Sequence, residues 1–145
     1  MSRKSLTALE EALMKLLLAG EDPVLEVLRG QLEVLSVSSR QVTPMGFFTS
    51  FSVRQDALRV EHPNDLVLDD VGAEIVGLEP GPDFQLFVSD GVLDSLECAV
   101  FEGEWPREPE LVRAFYLRVN PRESGSLLRT DRRDLEALRE DWPKA

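Results

Sequence analysis

Five carboxylates are the residues in this chain best placed to do chemistry. Asp69, Asp70, Glu74, Glu97 and Glu102 lie on or beside segments that pattern as neighbouring strands. Two carboxylates held together can divide into acid and base, or share a divalent cation. Their spacing matches no calcium loop or catalytic signature, and a solvated sheet face accounts for them without catalysis. Asp69, Asp70, Glu74 and Glu97 therefore stand as a candidate cluster. No catalytic residue and no metal ligand is assigned.

Other reactive types are scarce. The single histidine, His62, has no second histidine or cysteine nearby to build a zinc set, and no nucleophile motif accompanies it. Cys98 is the only cysteine, so no internal disulfide exists; its place on an apolar strand face predicts inert packing. There is no phosphate-binding loop and no dinucleotide glycine fingerprint, so no cofactor is expected.

Charge says more. The net charge is −11, and residues 61–110 hold 14 acids and one arginine. The absence of a basic footprint there argues against nucleic acid. An acidic face serves solubility, or it attracts a basic protein. Glu102 and Glu104 flank Trp105 at the start of a loop, and aromatics are common interface anchors. These three are the candidate partner-binding residues. Trp105 has an equally simple use as a cap on the hydrophobic core.

These residues need a scaffold, and it reads as α+β. At 145 residues with 43% apolar and 30% charged side chains, one soluble domain is expected over 1–145. No apolar run approaches the roughly 20 residues of a membrane span. The N-terminal segment carries Glu10, Glu11 and Lys15 among its leucines, which breaks an export-signal core. With no disulfide either, the cytoplasm is the expected compartment.

Residues 1–34 are expected to be helical. Leu6, Leu9, Leu13, Leu16 and Leu17 recur at helical steps, with Ser5 or Thr7 as cap and Gly20 as stop. Asp22-Pro23 then opens a second helix. Residues 35–119 read mainly as a β meander, and 130–142 as a C-terminal helix capped by Thr130 or Asp131. Together these give an antiparallel sheet of five or six strands, with helices from both ends packed on one face.

The organising hairpin runs from Asp83 to Phe101. Phe84, Leu86 and Val88 alternate with Gln85, Phe87 and Ser89, and Asp90-Gly91 supplies turn chemistry. A three-residue loop would gather Phe84, Leu86, Val88, Val92, Leu96, Cys98 and Val100 on one face, with Asp94 on the core side. A two-residue loop would set Val88 against Leu93. The three-residue form is preferred because it collects more apolar side chains.

The segments Gly46-Phe47-Phe48-Thr49, Gly72 to Leu78, Phe84 to Glu97 and Glu104-Trp105-Pro106 resemble those of a group of small bacterial proteins of unassigned function. The resemblance covers roughly residues 20–142 and implies no activity. In size and charge the chain is also similar to immunity proteins that neutralise basic toxins, an analogy without a shared motif. The expected function is a non-enzymatic binding module, immunity-like, that uses its acidic face on a basic partner. The alternatives are a small metal- or carboxylate-dependent hydrolase and a structural homodimer.

Overall fold

A computed structural model describes residues 5–144. Among these, eight strands form one antiparallel sheet, and three helices join it. The α+β class holds; the strand number exceeds the expected five or six.

Helix α1 (Ala8–Leu17) begins at Thr7, whose hydroxyl accepts from the Glu10 N–H while the Glu10 carboxylate accepts from the Thr7 N–H. That reciprocal pair satisfies two otherwise orphaned donors. Helix α2 (Pro23–Leu32) starts as expected, with Asp22 accepting from Val24 and Leu25 and Pro23 in the first turn. The strands are β1 (Leu35–Thr43), β2 (Gly46–Val53), β3 (Leu66–Leu68), β4 (Val71–Ile75), β5 (Asp83–Ser89), β6 (Val92–Ala99), β7 (Leu111–Val119) and β8 (Leu127–Thr130). Helix α3 (Leu135–Glu140) follows.

The sheet order is β1-β2-β6-β5-β4-β7-β8, with β3 also pairing β5. Strands β3 and β4 lie along the same edge of β5, interrupted at Asp69-Asp70. The expected meander of β4, β5 and β6 is present.

The hairpin register differs from the expected one. Ser89 pairs with Val92 and Val88 with Leu93, so the loop is two residues, Asp90 and Gly91. Both have positive φ, 51° and 78°, the conformation of a tight hairpin turn whose twist suits the strands. Asp94 is then an extra residue, and the register shifts so that Phe87 meets Ser95 and Phe84 meets Cys98. The bulge resolves a conflict in the sequence. Leu93 and Leu96 are an odd step apart, and regular pleating would send one of them to solvent. With Asp94 inserted both are buried, at 1% and 0% exposure. Leu93 thus takes the core place expected of Val92, and Asp94 is exposed rather than core-facing.

The core is one cluster. Leu13, Met14 and Leu17 of α1 and Leu25 and Leu28 of α2 join Phe84, Leu86, Leu93 and Leu96 of the central strands. Each such side chain contributes about 1.5–3 kcal/mol by burial. Helix α1 packs on β4 and β7, and α2 on β6. Leu138 of α3 enters the same cluster.

Two elements depart from expectation at the C-terminal end. Leu127–Thr130 is a further strand beyond the expected last one, and it pairs with β7. The helix is shorter, and its cap is Asp134, which accepts from Ala137 N–H. Thr130 instead closes a turn by accepting from Arg132 N–H. No helix among the described residues is long and apolar enough to cross a membrane.

Candidate functional site

The carboxylates are sorted by arginine. Glu10, 2% exposed, accepts from Arg40 Nη2 at 2.5 Å and Nε at 3.0 Å, and from the Thr49 hydroxyl at 2.5 Å. Burial pushes its pKa up, but the bonds from Arg40, Thr49 and Thr7 outweigh that and hold it below 4.5. Asp70 takes both arms of Arg133 at 2.8 Å each. Arg133 also donates to the carbonyls of Leu16 and Ala19, at the C-terminal end of α1, and lies over the Tyr116 ring. Glu74 accepts from Arg113 at 3.0 Å and Arg129 at 2.8 Å, and both guanidinium groups lie over Phe115. Asp22 accepts from Arg139 at 2.6 Å. Each of these carboxylates has a structural cation.

Four further aspartates gather in one concave site without such a cation. Asp65, Asp69, Asp94 and Asp141 line a cleft of about 530 Å³ whose other walls include Val67 and Phe87. Among the described residues none of the four has a lysine or arginine within ion-pair distance. The fold explains each placement. Asp65 ends the loop before β3 and accepts from the Asp90 N–H of the hairpin turn at 2.8 Å. Asp69 sits where β3 gives way to β4. Asp94 is the bulged residue of β6, turned outward by the extra step. Asp141 closes the C-terminal end of α3. Withdrawal from solvent raises the Asp69 pKa, and the charges of Asp141, Asp70 and Asp83 raise it further. Such a site favours any cation that enters it.

The four-carboxylate cluster expected from sequence is divided by these pairings. Asp70 and Glu74 are bound to arginines, and only Asp69 lines the cleft. Glu97 lies elsewhere on the sheet, opposite Phe48 and Gln85. Among the described residues no three histidine, cysteine or acidic side chains form a group able to hold a metal ion.

The second expected site fares differently. Glu102 and Glu104 are exposed. Trp105 is 8% exposed, with its ring 5.3 Å from that of Phe47 and tilted by 58°. Its backbone N–H donates to Pro44 carbonyl. The indole caps the core, which takes it out of the expected partner-binding set and leaves the two glutamates exposed without it. His62 is exposed in the loop before β3. Cys98 is buried, and burial pushes its thiol up to about 12, which fits inert packing.

Asp65, Asp94 and Asp141 escaped the sequence reading. Asp94 needed the bulge, and Asp141 needed the path of the chain after α3. The only signal for Asp65 was its position at the end of a polar loop.

Comparison with known proteins adds no relative: no family model, no curated protein and no solved structure matches this chain.

Proposed function

We propose that the chain is a non-enzymatic protein-binding module that takes a basic side chain of its partner into the aspartate cleft. One observation carries this reading. Glu10, Asp22, Asp70 and Glu74 are matched by the chain's own arginines, whereas Asp65, Asp69, Asp94 and Asp141 gather in one concave site without such a partner among the described residues. A lysine or arginine entering there meets an acidic wall, while its methylene stem has Val67 and Phe87 to lie along. The surplus of acids over residues 61–110 supplies a longer-range field that steers a basic partner. Phe48, Gln85, Phe87 and Glu97, which lie outside the buried core, supply the rest of the contact. Neutralisation of a basic protein, as immunity proteins achieve, is a role of this chemistry. The kinship with small bacterial proteins of unassigned function belongs to the same proposal, as does a cytoplasmic location, which suits a chain whose lone cysteine forms no disulfide.

The test is an NMR titration with a short arginine- and lysine-containing peptide, against an acidic peptide as control. Saturable amide shifts at Val67, Phe87 and Ser89 are expected with the basic peptide alone. They should weaken as salt shortens the reach of charge to roughly 8 Å at physiological strength. They should be lost in Asp69→Asn/Asp141→Asn. Equal response to both peptides, or shifts confined to Glu102 and Glu104, would remove the cleft from this role.

A further inference from the structure

The two ends of the sheet are finished differently. At one end β1 carries a bulge at Ser38 and displays Ser38, Ser39 and Gln41. Bulges and polar side chains are the usual guards against edge-to-edge pairing. At the other end β8 pairs with β7 in unbroken register and reads Leu-Leu-Arg-Thr. Its guards are fewer, a length of four residues and the single charge of Arg129, with no proline or bulge. Leu127 is 58% exposed and Leu128 44%, beside Val119 at 75%.

The backbone of β8 is half used. The Asn120 N–H donates to the Ser126 carbonyl, and the Leu117 N–H points away from β8 to the Asp70 carbonyl. With the register Arg118–Leu128 and Tyr116–Thr130, antiparallel alternation turns the N–H and C=O of Leu128 and Thr130 toward β7. Those of Leu127 and Arg129 point outward.

From this we infer that β8 pairs with β8 of a second copy, antiparallel about a two-fold axis through Leu128, to make one continuous sheet. A two-fold axis normal to the sheet keeps like faces together, so paired residues must share a face. Centring on Leu128 meets that condition. Leu127 then lies opposite Arg129 of the second copy, and these are the residues whose outward groups are free, so each pair exchanges two backbone hydrogen bonds. Leu128 meets its own copy on the axis, apolar against apolar. Arg129 never faces itself. Its charge is already held by Glu74 at 2.8 Å and its guanidinium lies 4.6 Å from the Phe115 centroid, which leaves its stem for Leu127 of the other copy. The edge is therefore complementary to itself in backbone and apolar contact and sets no charge against its own copy, which marks a second copy as its occupant.

Sedimentation equilibrium on the full chain at high micromolar concentration tests this. A dimer is expected, weakened about tenfold or more by Leu128→Lys, which sets two ammonium groups on the axis. Position 128 is exposed enough for the variant to keep the native circular dichroism and melting midpoint. Cysteine trapping fixes the register independently. Non-bonded antiparallel pairs have Cα atoms about 4.5 Å apart, within disulfide reach, so Leu128→Cys should cross-link under mild oxidation. Leu127→Cys should not, because two such positions would stand about 8 Å apart. A wild-type monomer at these concentrations would overturn the inference and leave the edge to another chain. So would a dimer indifferent to Leu128→Lys, or cross-linking at 127 as fast as at 128.

Discussion

Gln31 of α2 holds Gly91 of the hairpin turn. Its Nε2 donates to the Gly91 carbonyl at 2.8 Å and to the Leu58 carbonyl at 2.9 Å, while its Oε1 accepts from the Leu93 N–H at 2.9 Å. The side chain is 1% exposed. One amide thus serves three backbone groups of the irregular turn, loop and bulge, of which the Gly91 carbonyl also accepts from the Val60 N–H at 3.0 Å.

Gln31→Leu should therefore cost more than its small change in volume suggests. An orphaned buried backbone group costs about 1–3 kcal/mol, and partial relaxation toward water brings the expected total to about 3 kcal/mol. Urea unfolding would measure it, with an unchanged m-value. A loss under about 1 kcal/mol would mean that the loop finds other partners.

Gly91 and Gly77 separate two causes of glycine preference. Both have positive φ, 78° and 86°. A Cβ on Gly91 would sit 2.4 Å from the Val60 carbonyl oxygen, while one on Gly77 meets nothing within 4 Å. Gly77→Ala should cost about 1 kcal/mol, from backbone conformation alone. Gly91→Ala should cost about 2–3 kcal/mol, because the loop at Val60 must also move. Equal losses at the two sites would show that the clash is relieved at no cost.

Acid titration should reveal Glu10 and Asp69 with opposite signs. The folded-state pKa of Glu10 is lowered from 4.5, so its contribution is present above that value and is lost as pH falls through the lower folded one. Glu10→Gln should unfold more easily at pH 7, and the gap from wild type should close below pH 4. Asp69 is raised from 3.8, so the folded state disfavours its charge. Asp69→Asn should raise the melting midpoint at pH 7, with the gain vanishing at pH 3. Midpoints across this range are the measurement, and a gain that persists at pH 3 would exclude the charge explanation.

Cys98 should resist thiol reagents at pH 8 until the chain unfolds. Its thiol is buried and raised to about 12, so little thiolate forms in the native state. Labelling as rapid as that of the denatured chain would show that the sheet opens there.

The helices and strands were legible where one residue type decided the structure. Asp22-Pro23 marks a helix start whatever surrounds it, and Asp90-Gly91 marks a tight turn. The hairpin register was not legible, because Leu93 and Leu96 cannot both be buried in a regular strand, and the sequence does not show where the extra residue goes. Strand β8 was hidden because Leu127–Thr130 is short and half-exposed, and only pairing with β7 makes it a strand. Of the cleft, Asp69 was read as a site residue and its three companions were not. The four come from three separate segments, the flanks of β3, the bulge of β6 and the end of α3, and nothing local joins Asp94 to Asp141. Trp105 was readable as either anchor or cap, and contact with Phe47 makes it the cap.

The bond from Arg133 to the Leu16 and Ala19 carbonyls has a consequence for synthesis on the ribosome. It spans 117 and 114 positions of sequence, and the Arg139–Asp22 pair spans 117. Translation makes α1 and α2 first, yet the guanidinium groups that tie their ends arrive last. The leucine-rich faces of the two helices must wait for β4, β6 and β7 to emerge and cover them. Until then those leucines are open on the nascent chain to contact with other chains.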